Sequence, residues 1–170
     1  MGIKLADALS YIHTLPERIV HRDIKPRNII LQKNGEPKLI DFDIARVRGY
    51  QTFTQQKDGS FSRIGTVEFS APEQLTDSSP LGPPADLFSL GVVLYNLFTK
   101  KLPYKSGNNP EDYGEQLPAL EQLEIPTPLY AIFCKLLCEK PEQRLTAAQL
   151  KEELQNVPLL PVKHLNAIGS

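Results

Sequence analysis

Residues 19–42 read IVHRDIKPRNIILQKNGEPKLIDF. Asp23, Lys25 and Asn28 stand together on a loop between two short apolar stretches, and Asp41 follows the next turn. Acidic and amide oxygens and one lysine would thus converge from two neighbouring loops. Transfer of a phosphoryl group calls for such a set. An aspartate must orient the attacking hydroxyl and accept its proton. Hard oxygen ligands must hold Mg²⁺ against the phosphates, and a cation must offset charge at the transferred group.

These loops need a frame, and hydrophobic periodicity supplies one. Leu5, Ala8, Leu9 and Ile12 recur at helical spacing, which predicts a helix over Ile3–Leu15 that Pro16 ends. Ile19-Val20 and Asn28–Leu31 read as short strands. Asn34-Gly35 is a tight-turn dipeptide, so Ile29–Leu31 and Lys38–Ile40 form a hairpin. Residues 44–70 lack sustained periodicity and read as an irregular loop.

Asp86 to Thr99 is apolar on all sides of a helix, as expected of one buried at a domain centre. Residues 100–126 are rich in Pro, Gly and Asn, with a short helical piece at Gln116–Leu123. Thr127-Pro128 reads as N-cap and N1 of a further helix with the stripe Leu129, Ile132, Phe133, Leu136 and Leu137. Thr146 and Gln149 make a capping box for the last helix. The expected fold is mainly α, a helical bundle around a buried central helix, with a small β-hairpin at the loop that carries Asp23. One domain over residues 1–158 and an apolar, Pro-broken tail over 159–170 complete the expectation.

Lys and Arg number 19 against 20 Asp and Glu, a net charge of −1. That balance excludes a strongly basic nucleic-acid or membrane binder. A 41% hydrophobic, 23% charged composition suits a globular domain rather than a disordered chain. The longest apolar run, Leu87 to Phe98, is interrupted by Ser89, Gly91 and Asn96 and is too short to span a bilayer. Cys134 and Cys138 read as reduced core residues on one helix face, without the neighbours a metal site needs. Lys4 and Asp7 flank only a short apolar segment, so no signal peptide is expected. Ala6 stands where a myristoylation site after Met1-Gly2 needs Ser or Thr. The expected compartment is reducing and cytoplasmic.

HRDIKPRN, residues 21–28, resembles the protein-kinase catalytic loop H-R-D-x-x-x-x-N without a mismatch. Lys two residues after the Asp is similar to the serine/threonine branch. Asp41-Phe42-Asp43 stands where that family has D-F-G, and Gly65–Glu73, GTVEFSAPE, resembles its substrate-docking loop ending in A-P-E. The resemblance covers nearly the whole chain and is to the C-terminal lobe of a kinase. It implies ATP and Mg²⁺ as cofactors and a protein substrate. Asp23 would be the catalytic base, Lys25 would neutralise the transferred phosphate, and Asn28 and Asp41 would hold the metal ions. Thr66 would hydrogen-bond Asp23 and Lys25. Ile30 would lie beneath the adenine, with Ile29 and Leu31 turned to the core. His21 and Phe42 would stack into a column based on Asp86, and Glu73 and Arg144 would form a buried ion pair. Arg22 would take up a phosphate on Thr52, Thr54, Ser60 or Ser62.

Two departures bear on activity. Asp43 replaces the Gly of D-F-G, whose freedom at positive φ it shares less well, so altered loop switching is expected with the metal-binding Asp41 intact. The 170 residues also contain no Gly-rich loop and no Val-Ala-Ile-Lys-type lysine. Alone, the chain is expected to bind ATP·Mg²⁺ weakly and to transfer phosphate poorly or not at all, with the missing lobe or a regulatory protein acting in trans. Two other readings stay open from the sequence. One is a catalytically silent interaction module with an uncovered apolar face. The other is a small-molecule phosphotransferase of the aminoglycoside-kinase type, against which Lys25-Pro26 and the 65–73 segment argue.

Overall fold

The computed structural model describes residues 1–42, 54–55, 61–62, 67–75, 81–104 and 125–158. The Gln116–Leu123 helix and the 159–170 tail expected from the sequence lie outside them. The described elements are mostly helical. Helix α1 spans Gly2–Thr14, β1 Ile29–Leu31 and β2 Pro37–Leu39. Strands β3 (Thr54–Gln55) and β4 (Phe61–Ser62) are followed by the one-turn helix α2 (Pro72–Leu75). Helices α3 (Pro83–Thr99), α4 (Thr127–Leu136) and α5 (Ala147–Gln155) complete the order. Within the segment expected to be irregular, β3 and β4 pair antiparallel and Val67–Phe69 forms a 3₁₀ turn.

Helix α3 is the centre. Every residue from Ala85 to Tyr95 is buried. It starts three residues before the expected Asp86, because Pro83 and Pro84 sit in the first turn, where a missing N–H costs nothing. It stops at Lys100, which adopts the left-handed conformation (φ 58°) and returns its N–H to Asn96 O. Helix α4 lies against it at Gly91. A Cβ there would meet Leu136 Cβ at 2.8 Å, so the close approach of the two helices requires glycine.

Helix α1 packs along α5, α3 and β2. It ends at Thr14 because Leu15, which precedes a proline, is pushed to ψ 152°. Its buried residues are Leu5, Ala6 and Leu9, with Ile12 half-buried, and Ala8 is exposed, contrary to the expected stripe. The shift has a packing cause. α1 presents its small side, Gly2 and Ala6, to its neighbours, and a Cβ on Gly2 would lie 3.1 Å from Leu154 of α5. Lys151 of α5 bridges to Asp7 of α1 at 2.6 Å and holds its carboxyl below the usual range.

The hairpin forms with its first strand as expected and its second one residue earlier. β1 pairs Ile29↔Leu39, Ile30↔Lys38 and Leu31↔Pro37, so Ile40 lies outside it. Gly35, at φ 81°, closes the loop through its N–H to Gln32 O. Only the first rung reaches the core: Leu39 is buried and Ile29 packs on the main cluster. Leu31, expected in the core, is 61% exposed, because a two-stranded ribbon runs out beyond the helices that would cover it. Ile19-Val20 forms no strand, only a single bridge at Val20.

Helix α4 buries Leu129, Ile132, Phe133 and Leu136 as the stripe requires, and Leu137 is half-buried at its C-cap. Its N-cap is Pro126 rather than Thr127. Cys134 is exposed, not core, since it faces away from that stripe. Cys138 lies past the helix end, half-buried, with its thiol donating to Cys134 O at 3.2 Å. The Thr146–Gln149 capping box is present in both directions.

Valine at position 91 must push α4 away from α3. Gly91→Val lowers unfolding stability by about 2 kcal/mol, against a small gain in helix propensity. Urea denaturation measures it, and a midpoint equal to the parent's would contradict the close packing.

Candidate active site

The site is built on the buried carboxylate of Asp86 in the first turn of α3. Its Oδ2 accepts the His21 backbone N–H at 2.8 Å and its Oδ1 accepts that of Arg22 at 2.8 Å. His13, from the last turn of α1, donates Nε2–H to the same Oδ2 at 2.8 Å. Three donors thus satisfy a carboxylate that could not otherwise be buried at this depth. Arg22 is held at φ 68°, a conformation costly for a side chain of its size, and that turn sets the direction of Asp23.

His21 ties the loop to the exit of β2. Its Nε2–H donates to Ile40 O at 3.0 Å, and its Nδ1 accepts the Asp23 N–H at 3.3 Å. The network therefore assigns the neutral Nε2–H tautomer. Phe42 stacks on the ring, with centroids 4.6 Å apart and planes tilted by 55°. His21, Phe42 and Asp86 thus form the column that the sequence led us to expect.

Asp23 is buried, at 7% exposure. Its Oδ2 receives both Lys25 Nζ, at 2.7 Å, and Asn28 Nδ2, at 2.9 Å. Asn28 Nδ2 donates in addition to Asp23 O at 2.8 Å. The 3₁₀ turn Pro26–Asn28 brings Asn28 back over Asp23, closed by Asn28 N–H on Lys25 O. Two consequences follow. Both side-chain partners of Asp23 among the described residues lie on Oδ2, so Oδ1 carries no hydrogen bond to a described side chain. Both donors of Asn28 go to Asp23, so the amide nitrogen is committed and only its carbonyl Oδ1 keeps acceptor capacity.

Asp41 lies beside this loop by backbone pairing, since Ile40 N–H donates to Asn28 O at 3.0 Å. It adopts φ 64°, which an aspartate tolerates better than most residues, and its side chain is exposed. The structure thus brings Asp23, Lys25 and Asn28 into one hydrogen-bonded group and sets Asp41 at its edge. Ile30 is 49% exposed on β1. Thr66, Asp43, Thr52 and Ser60 lie outside the described residues.

Glu73 and Arg144 make the expected ion pair. Arg144 Nη1 and Nη2 hold Glu73 Oε1 and Oε2 at 2.6 and 2.9 Å. Its remaining N–H groups donate to Cys138 O, Pro84 O and Glu139 O at 2.7, 3.1 and 2.9 Å. All five guanidinium donors are used, and the group lies over the Phe88 ring at 4.8 Å.

Two residues escaped the sequence reading. His13 continues the spacing of Leu5 and Leu9 by one more turn, so a titratable group on the apolar face of α1 was its available signal. Gln74 donates Nε2–H to Arg22 O at 2.9 Å, a contact across 52 positions with no local mark.

Among the described residues no three His, Cys, Asp or Glu cluster as a metal site. One carboxylate and one carboxamide oxygen remain, a set that suits Mg²⁺, which takes few protein ligands and completes its shell with phosphate and water. The hydrogen-bonded group of Asp23, Lys25 and Asn28, with Asp41 beside it, stands on the H-R-D-x-x-x-x-N spacing of a protein-kinase catalytic loop. The chain belongs to the protein kinase family: the family model described as protein kinase domain matches residues 2–154. It is 35% identical to a probable serine/threonine-protein kinase of Streptomyces coelicolor over 87% of this chain and 22% of that protein. It is also 35% identical to serine/threonine-protein kinase PknK of Mycobacterium tuberculosis, over 92% of this chain and 14% of that protein. Aurora kinase C of Mus musculus is 32% identical over 86% of this chain and 50% of its own length. The chain thus spans between 14% and 50% of these three relatives.

Glu73→Ala leaves the Arg144 side chain, 0% exposed, with an uncompensated charge. It lowers stability by about 3–5 kcal/mol in denaturant unfolding. A loss below about 1 kcal/mol would show that the pair is solvated like a surface bridge.

Proposed function

We propose that this chain is the catalytic-loop lobe of a serine/threonine protein kinase, which transfers the γ-phosphoryl group of ATP to a protein Ser or Thr hydroxyl. The observation that carries the reading is the shared Oδ2 of Asp23. With Lys25 and Asn28 both on that atom, Oδ1 is left to accept the proton of an incoming hydroxyl. In this reading Asp23 orients the hydroxyl and takes its proton as the new phosphorus–oxygen bond forms. Lys25 carries the positive charge that faces the transferred group, and its bond to Asp23 keeps that charge at the reacting centre.

Asn28 Oδ1 and the Asp41 carboxylate would hold Mg²⁺, which when bound supplies charge neutralisation at the phosphates. Ile30 offers an exposed apolar side chain for the adenine, and Thr66 belongs to the same proposal as a partner of Asp23 and Lys25. The names of the relatives, serine/threonine kinases by description, support a protein substrate. The opposite half of the nucleotide cleft has no counterpart in residues 1–170, so the isolated chain transfers phosphate weakly. That half, or a regulatory protein, acts in cis or in trans against the side marked by Ile30, Leu31 and Phe42, each at least 41% exposed. No described helix is long and apolar enough to cross a membrane. A cytoplasmic setting belongs to the same proposal, in keeping with the free thiols of Cys134 and Cys138.

Asp23→Asn keeps the shape of the loop and removes the base. It lowers phosphate transfer to a Ser/Thr peptide by about 10²–10⁴-fold, measured with γ-labelled ATP and Mg²⁺. Transfer within twofold of the parent would refute the role of Asp23.

A further inference from the structure

Arg22 is gripped from two sides. Its N–H is held by Asp86 from α3, and its C=O accepts Gln74 Nε2–H at 2.9 Å from α2. The carbonyl of Arg22 and the N–H of Asp23 belong to one peptide group. Whatever holds that carbonyl therefore orients the plane from which Asp23 departs, and it does so at φ 68°, a conformation that needs outside support.

Gln74 is itself locked. Its Oε1 accepts the Ala71 N–H at 2.9 Å and its own N–H donates to Ala71 O at 2.9 Å. Its neighbour Glu73 is fixed by the bidentate Arg144. The amide side chain cannot swing without breaking the Ala71 bond, so the turn Ala71–Gln74 and the Asp23 loop move as one piece. We propose that Gln74 is a positioning residue for Asp23, which transmits the placement of the Ala71–Gln74 turn to the base through the Arg22 carbonyl. This rests on the catalytic reading for its kinetic consequence, but the geometry stands without it.

Gln74→Glu tests it. Glutamate keeps the acceptor for Ala71 and loses the donor to Arg22, so α2 remains capped while the carbonyl is released. In amide nuclear magnetic resonance spectra of the full chain, the Asp23 signal shifts and exchanges its proton about tenfold faster. Signals of α5 stay in place, and the unfolding midpoint stays close to the parent's. Gln74→Ala, which loses both bonds, moves the same Asp23 signal at least as far. In Ser/Thr peptide phosphorylation, Gln74→Glu lowers kcat about tenfold with KM for the peptide within twofold. Asp23 signals unmoved in both variants would overturn the proposal. A parent that transfers no phosphate even with the opposite half of the cleft supplied, with the Asp23 shift still present, would refute the catalytic reading alone.

Discussion

The structure depends on one buried carboxylate. Asp86 sits almost wholly out of water, and a bare charge there would be prohibitive. It is tolerated because two backbone N–H groups and the His13 ring converge on it. The same bonds force the chain at His21-Arg22 into a turn that it would not adopt alone. The solvation of one side chain and the aim of another are therefore a single arrangement, and the aim of Asp23 is inherited from the central helix. His13 extends that dependence to α1, so three separate stretches of sequence meet at one atom, Asp86 Oδ2.

The surroundings keep that helix where it is. Burial on every side from Ala85 to Tyr95 leaves α3 no solvent face along which to slide. Gly91 lets α4 come within contact distance of its backbone, and Tyr95 and Phe98 both meet Phe133 edge-on across the same interface. At the start of α3, Arg144 takes the carbonyl of Pro84 as well as Glu73, so the ion pair fastens α2 to α3 directly. An arginine with five geometric partners specifies position in a way that apolar contacts, which tolerate sliding, do not.

How much of this was legible depends on range. The stripes of α3 and α4, the capping box at Thr146 and the loop from His21 to Asn28 are local patterns, and local patterns survive translation into structure. Leu31 was misplaced because alternation along a strand says which side chains share a face but not whether anything covers that face. Ala6 was missed in favour of Ala8 because the close approach of α5 to Gly2 is a tertiary fact. Cys134 was read as core because burial statistics for cysteine ignore its offset from the Leu129–Leu136 stripe. Gln74 had no local signal, since its partner lies 52 residues away. His13 had one, its phase with Leu5 and Leu9, which points to the core but not to Asp86.

In the proposed reading, Asn28 and Asp41 would face a common cation next to Asp23. Mn²⁺ in place of Mg²⁺, added with a non-hydrolysable ATP analogue, broadens nuclear magnetic resonance signals by proximity even when binding is weak. The account predicts that the Asn28 side-chain amide and the backbone amides of Asp23 and Asp41 broaden first, and only when the nucleotide is present. Broadening centred elsewhere, or equal broadening across α1, α4 and α5, would contradict it.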